Sequence, residues 1–183
     1  MAENVFLENK RKLGLDEYMN FNSSGRGNLG DEIPVAVYRL MEYSLREQLV
    51  EEFGSETQIR IFRQAGYRAG RYFADHLLDL TQDLNSFVAA LQTRMEELKI
   101  GVLRIETLDT QTGKIMLTVS EDADCSGLPL LGEAVCNYDE GFISGIMSAY
   151  MKKEYIAVEI DCWATGDRVC RFRVEPENHE ISE

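Results

Sequence analysis

The side chains best suited to chemistry are four cysteines and one glutamate: Cys125, Cys136, Glu159, Cys162 and Cys170. Three of these fall in one string, EIDCWATGDRVC, which holds Glu159, Cys162 and Cys170. Zinc takes four ligands in a tetrahedron, mostly thiolates with an occasional carboxylate or imidazole. Cys136, Glu159, Cys162 and Cys170 would supply that set. Glu159 and Cys162 close a strand-like run, YIAVEIDC, and Cys170 opens the return run CRFRV after a turn on Thr165, Gly166 and Asp167. Cys136 lies in a helix-like segment, GEAVCNYDEGFISGIMSAYM, so a metal here would tie a helix to a hairpin. Residue types alone leave a second reading open, because buried free cysteine also behaves as a small hydrophobe. Cys125 is the leftover thiol, either an apolar core residue or a pocket-facing, redox-sensitive one.

Other chemistry is sparse. The chain has two histidines, His76 beside several leucines and His179 in the C-terminal tail, and neither reads as a general base or haem ligand. There is no dinucleotide fingerprint, phosphate loop or serine nucleophile elbow. The cysteine spacing does not match iron–sulfur attachment runs. An enzymatic reading is therefore discounted.

The elements that must position these groups follow from periodicity. Asp31 is placed to cap a helix with Pro34 in its first turn, followed by Val37, Leu40, Met41, Leu45 and Leu49 at helical spacing and closed by Gly54. A second helix covers TQIRIFRQAGYRAGRYFADHLLDL, with Ile59, Phe62, Gly66, Phe73 and Leu77 inward. Its small residues Ala65, Gly66, Ala69 and Gly70 admit close approach of either another helix or a ligand. Arg60, Arg63, Arg68 and Arg71 form a basic patch on the same helix, read as solvated groups pairing with acids. A third helix runs from Leu84 to Leu98. VLRIETLD and IMLTVSE alternate apolar and polar residues around the turn TQTGK, which marks an antiparallel hairpin. The Cys136 helix and two last strands complete three helices, two strands, a helix and two strands. That order predicts an α+β domain, a small antiparallel sheet packed with helices. Its predicted limits are a flexible extension over residues 1–30, the domain over 31–176 and a polar tail over 177–183.

Composition narrows the partners. The 183 residues fit one domain with an extension, and no apolar run reaches the roughly 18 residues that a span of a membrane needs. A net charge of -13 repels a phosphate backbone and anionic headgroups, so no nucleic acid is expected as partner and no membrane span. With no apolar stretch at the N-terminus and with free thiols, the chain reads as cytoplasmic.

The run DCSGLPLLGEAVCNYDEGFISGIMSAYMKKEYIAVEIDCWATGDRVCRF resembles the 4-vinyl reductase-type, or hydrocarbon-binding, domain. The order carries the resemblance: Cys125-Ser126-Gly127-Leu128-Pro129, Cys136, the Gly141/Gly145 helix, Glu159, Cys162, Gly166-Asp167 and Cys170-Arg171-Phe172. It covers residues 33–175. It is related to zinc-containing sensor domains of phenol- and xylene-responsive activators and to the ligand-binding fold of NO signalling and Golgi transport. The resemblance implies Zn held by Cys136, Glu159, Cys162 and Cys170, and a homodimer interface formed by the N-terminal helices. With four protein ligands no position is open for water, so the implied metal is a structural staple.

The resemblance also implies a cavity for an apolar small molecule such as an aromatic, a fatty chain or a tetrapyrrole. Candidate ligand-binding residues are Phe73, Leu77, Phe87 and Leu91 from the helices, with Phe142, Tyr155 and Trp163 from the second half. The phenol sensors orient their ligand with a histidine and a tryptophan, and the region around Phe87 and Ile115 offers neither. Phenol itself is therefore not expected. The expected function is a zinc-stapled small-molecule sensor or carrier. The alternatives are a dimeric assembly adaptor, with a protein partner on the N-terminal extension, and a tetrapyrrole vinyl reductase or pigment chaperone.

Overall fold

The computed structural model describes residues 13–20, 30 and 32–177. The expectations for Asp31, for most of the glycine-rich link and for the tail beyond Glu177 lie outside these residues. The chain divides into two units at Ile33/Pro34. The first contains a short exposed helix, α1 (Leu15–Met19). The second contains α2 (Val35–Phe53), α3 (Ser55–Leu77), α4 (Leu84–Glu97), β1 (Val102–Asp109), β2 (Lys114–Ser120), α5 (Asn137–Met151), β3 (Tyr155–Asp161) and β4 (Cys170–Pro176). The α+β architecture matches the expected order of elements.

Local chemistry sets most boundaries. Gly54 has φ near +80°, which only glycine adopts freely, and it ends α2 and starts α3 without a linker. Asp83 caps α4 by accepting from the Asn85 and Ser86 amides. Pro34 stands at the N-cap of α2 instead of in its first turn.

All four strands pair antiparallel in the order β1-β2-β4-β3. One face presents Leu103, Ile115, Leu117, Val119, Phe172 and Val174 to the core, all buried. Its opposite face carries Arg171, which pairs with Glu106 and Asp161. α5 crosses the buried face and α3 lies over α5, so α5 is enclosed on both sides. A helix in that position must be apolar or small nearly all round, and buried residues run from Asn137 to Ala149 with few exceptions.

Glycine decides how closely α3 approaches. A Cβ on Gly66 would stand 2.0 Å from the Tyr138 carbonyl oxygen, and one on Gly70 2.0 Å from that of Phe142. Reciprocally, a Cβ on Gly141 or Gly145 would meet the Arg63 or Tyr67 carbonyl oxygen at 2.0 or 2.2 Å. The small residues of α3 thus receive another helix.

α5 also closes the free edge of the sheet. β3 pairs with β4 on one side only, which leaves alternate amides without a strand partner. Ser148 Oγ accepts from Tyr155 N at 2.9 Å, Ser144 Oγ from Ala157 N at 2.8 Å, and Glu140 Oε1 from Glu159 N at 3.0 Å. The match is geometric: four helical residues rise about 6 Å, close to the roughly 6.6 Å spanned by two strand residues. Removing one partner strands a buried amide, which costs about 1–3 kcal/mol. Ser144→Ala is expected to destabilise by that amount in denaturant melts, whereas Ser86→Ala on exposed α4 should change stability by less than about 1 kcal/mol.

Candidate metal centre

The four cysteine sulfurs gather at one point, all within 4.8 Å of one another and all buried. Each arrives on a different element. Cys170 begins β4 and points inward with Phe172 and Val174. Cys162 follows β3 and leads into a single 3-10 turn, Trp163–Thr165. That turn is fixed by its own side chains. Thr165 Oγ1 donates to the Cys162 carbonyl at 2.7 Å, Asp167 Oδ2 accepts from the Cys162 amide at 3.3 Å, and Gly166 takes φ near +109°. Cys136 occupies the N-cap of α5, at its mouth instead of within the helix as periodicity suggested. Cys125 comes from the loop after β2, where Gly127 at φ near +82° permits the reversal.

Strict strand alternation would place Glu159 and Cys162, three apart, on opposite faces. A bulge prevents this. Glu159 pairs with Phe172 and Asp161 with the adjacent Arg171, so Ile160 is the extra residue. Asp161 then meets Arg171 on the outer face, while Glu159 and Cys162 both turn toward the cysteines.

Distances separate the thiols. Sulfurs 2.3 Å from a tetrahedral zinc stand about 3.8 Å apart. Cys136 is 3.9 Å from Cys162 and 3.6 Å from Cys170, on either side of that value. Cys125 lies 3.3 Å from Cys136 and 3.2 Å from Cys170, closer than a shared tetrahedron permits. Glu159 stands at the edge of the group. Its Oε2 is 3.4 Å from the Cys136 amide, and its carboxyl reaches the thiols of Cys162, Cys170 and Cys136. Its Oε1 is buried with no hydrogen-bond partner. A carboxylate oxygen left unpaired beside three suitably spaced sulfurs fits a metal ligand.

Charge is concentrated here. Hydrogen bonds from Cys125, Cys136 and Cys170 pull the Cys162 thiol pKa down. Hydrogen bonding among the thiols, led by Cys125, and burial push Cys136 and Cys170 up. Burial, then the charge on Cys162, raises Glu159 to about 8. A metal ion would relieve all of these at once, because it binds the deprotonated forms.

A family model for the vinyl-4-reductase (V-4-R) domain matches residues 115–176, the span from β2 to β4 that supplies every one of these groups. The chain carries a vinyl-4-reductase domain. Outside that segment the likeness is one of fold. The phenol-responsive sensory domain of the transcription activator PoxR, solved with phenol, aligns with a TM-score of 0.60 at 18% identity over 80% of this chain and 76% of that one. A vinyl-4-reductase family protein from Methanocaldococcus jannaschii aligns with a TM-score of 0.54 at 14% identity, covering 82% and 85%. A trafficking protein particle complex subunit 3 from Naegleria fowleri, covalently bound to palmitic acid, reaches 0.64 at 12% identity, covering 79% and 95%. By sequence, an uncharacterized Methanocaldococcus jannaschii protein is 25% identical over 94% of this chain and 92% of its own length.

The vinyl-4-reductase domain, together with α4 and β1, also encloses an apolar cleft of about 20 Å³ between α4, the sheet and α5. It is lined by residues such as Val88, Leu91, Leu103, Ile115, Ile143 and Met147. Of the seven residues proposed from sequence for a ligand, Leu91 lines it. Phe73 and Phe142 pack edge to face at 5.2 Å, Phe87 stacks on Tyr150 at 3.8 Å, and Leu77 is exposed. Tyr155 borders a separate polar cleft of about 410 Å³, and the Trp163 indole donates to the Leu128 carbonyl. Periodicity identifies buried residues but cannot say which of them border empty space. The inward side chains of β1 and β2, which line the cleft, carry no signal beyond ordinary strand alternation.

No helix of the described residues is long and apolar enough to cross a membrane.

Proposed function

We propose that this protein is a zinc-stapled module that takes up a small apolar molecule as a sensor or carrier. The observation that carries the reading is the Glu159 oxygen, buried and unpaired beside the thiols of Cys136, Cys162 and Cys170. Those four side chains would hold the ion, with Cys125 packed against the site. The metal would supply structural cohesion, clamping the mouth of α5 to the final hairpin. Arg63 extends the clamp, because its guanidinium pairs at 2.5 Å with Glu140, whose other oxygen holds the Glu159 amide.

The apolar cleft supports the ligand half of the reading. At about 20 Å³ it holds no more than a water, so uptake requires α4, which brings Val88 and Leu91, to move outward from β1. Similar folds are known with phenol and with palmitic acid, which favours an aromatic or short-chain occupant. The test uses the full chain with 1-naphthol, decanoic acid and phenol. A ligand at ten times its Kd stabilises by about 1.4 kcal/mol, or about 3–6 °C of melting temperature at this size. Such a rise with naphthol or decanoate, lost in Leu91→Trp, supports uptake. No change in melting or native mass with any of the three rejects it.

A second reading concerns assembly. α2 exposes Val37, Leu40, Met41 and Leu45 at helical spacing, with Leu40 72% and Met41 64% exposed. An apolar stripe of that kind fits a homodimer built on α2. Light scattering of the full chain reads its mass directly, and a monomer at all concentrations would reject this.

A further inference from the structure

α2 turns its polar side toward the loop that carries Cys125. Tyr38 donates to Asp124 Oδ1 at 2.5 Å, and Arg39 holds the Ala123 and Ser126 carbonyls, each at 2.7 Å. Arg46 holds Asn137 Oδ1 at 3.1 Å and the Val135 carbonyl. Beneath this cover four carboxylates converge from three elements: Glu42, Asp122, Asp124 and Asp139. Glu42, Asp122 and Asp124 are only 6%, 4% and 3% exposed.

Their hydrogen bonding is incomplete in a specific way. Asp122 Oδ1 accepts from the Asp124 amide at 2.7 Å, and Asp124 Oδ1 is taken by Tyr38. The second oxygens, Asp122 Oδ2 and Asp124 Oδ2, are buried without a donor, as is Asp139 Oδ2. One oxygen of each loop aspartate is thus oriented by a protein donor, which is how carboxylate ligands are held from behind. Carboxylate oxygens of Asp122 and Asp139 lie within 4.8 Å of each other and of the Cys136 sulfur. Two ionised carboxylates that close in a buried site repel strongly unless a cation or a proton stands between them.

The charge balance selects the kind of cation. Four carboxylates face two guanidinium groups, Arg39 and Arg46, and only Arg46 reaches a carboxylate, Glu42 at 3.8 Å. Two negative charges remain, which one divalent ion neutralises. The donors are oxygens, so the ion is a hard one.

We infer that Asp122, Asp124 and Asp139 form a second metal site, for a hard divalent cation of the magnesium or manganese class, adjoining the thiolate group at Cys136. The site binds through oxygens that the thiolate centre does not use, and it stands or falls apart from the zinc reading.

The experiment titrates zinc-loaded full-length protein with manganese(II) and follows free aquo-manganese by electron paramagnetic resonance, with zinc measured in the same samples. A single manganese ion per chain is expected to bind and to be displaced by excess magnesium but not by sodium. Asp124→Asn and Asp139→Asn, both isosteric, are expected to weaken it at least about tenfold while zinc content and the circular dichroism spectrum stay unchanged. Absence of manganese binding by the wild type overturns the inference, since protons then neutralise the cluster. Binding that neither variant weakens overturns it equally. Protein that binds manganese but lacks zinc keeps this site and removes the zinc reading instead.

Discussion

Alanine at Gly141 or Gly66 is expected to unfold the domain. In an ordinary helix the same change stabilises by about 1 kcal/mol, because alanine loses less backbone entropy. Here the new methyl would stand 2.0 Å from a carbonyl oxygen of the facing helix, and for Gly66 the Phe142 amide nitrogen is also only 2.9 Å away. Comfortable heavy-atom contact is about 3.5 Å, so α3 and α5 must separate by more than an ångström. That movement cannot be local. α5 also carries Glu140, Ser144 and Ser148, which hold the β3 amides, and Cys136 at its mouth. A loss above about 4 kcal/mol is expected, the range reserved for a breached core. Thermal melts of Gly66→Ala and Gly141→Ala check it, and a melting temperature equal to or above the wild type would show that the helices do not touch at these glycines.

Cys162→Ser is expected to abolish metal binding and to lower stability by about 4 kcal/mol or more, since ligand binding and folding share one free energy in such sites. At this chain length that corresponds to about 8–16 °C of melting temperature. Cys125→Ser provides the contrast. With Cys125 only 3.2–3.3 Å from its neighbours, inside tetrahedral spacing, it packs on the site without coordinating, so its serine variant should keep its zinc. Metal analysis of both purified variants decides. Loss of zinc from Cys125→Ser with retention by Glu159→Gln would assign a four-thiolate centre in place of the three-thiolate, one-carboxylate set.

The sequence carries the elements well because their signals are local. β1 was legible to the residue, since Leu103 and Ile105 alternate with polar neighbours up to a threonine- and glycine-rich turn. α4 was read to within a residue, because Asp83 caps it and Phe87, Leu91 and Met95 recur at its period. The cysteine spacing, with Gly166 between Cys162 and Cys170, pointed to the chemistry before any coordinates. Each of these rests on residues whose influence extends only a few positions along the chain.

What the fold alone decided are the places where one residue's role depends on a partner far away. The bulge at Ile160 is invisible in YIAVEIDC, yet it turns Glu159 and Cys162 to the same side. Gly66 and Gly70 could have faced a ligand, until Gly141 and Gly145 met them across the helix crossing. Cys125 read as a leftover because it lies outside the EIDCWATGDRVC string, and only the loop reversal at Gly127 brings it to the other thiols. The buried aspartates read as ordinary solvated acids, because nothing in a sequence says that α2 will close over them. Periodicity fixes which way a side chain points within its own element; what it then meets is set by how the elements pack, and that is a property of the whole chain.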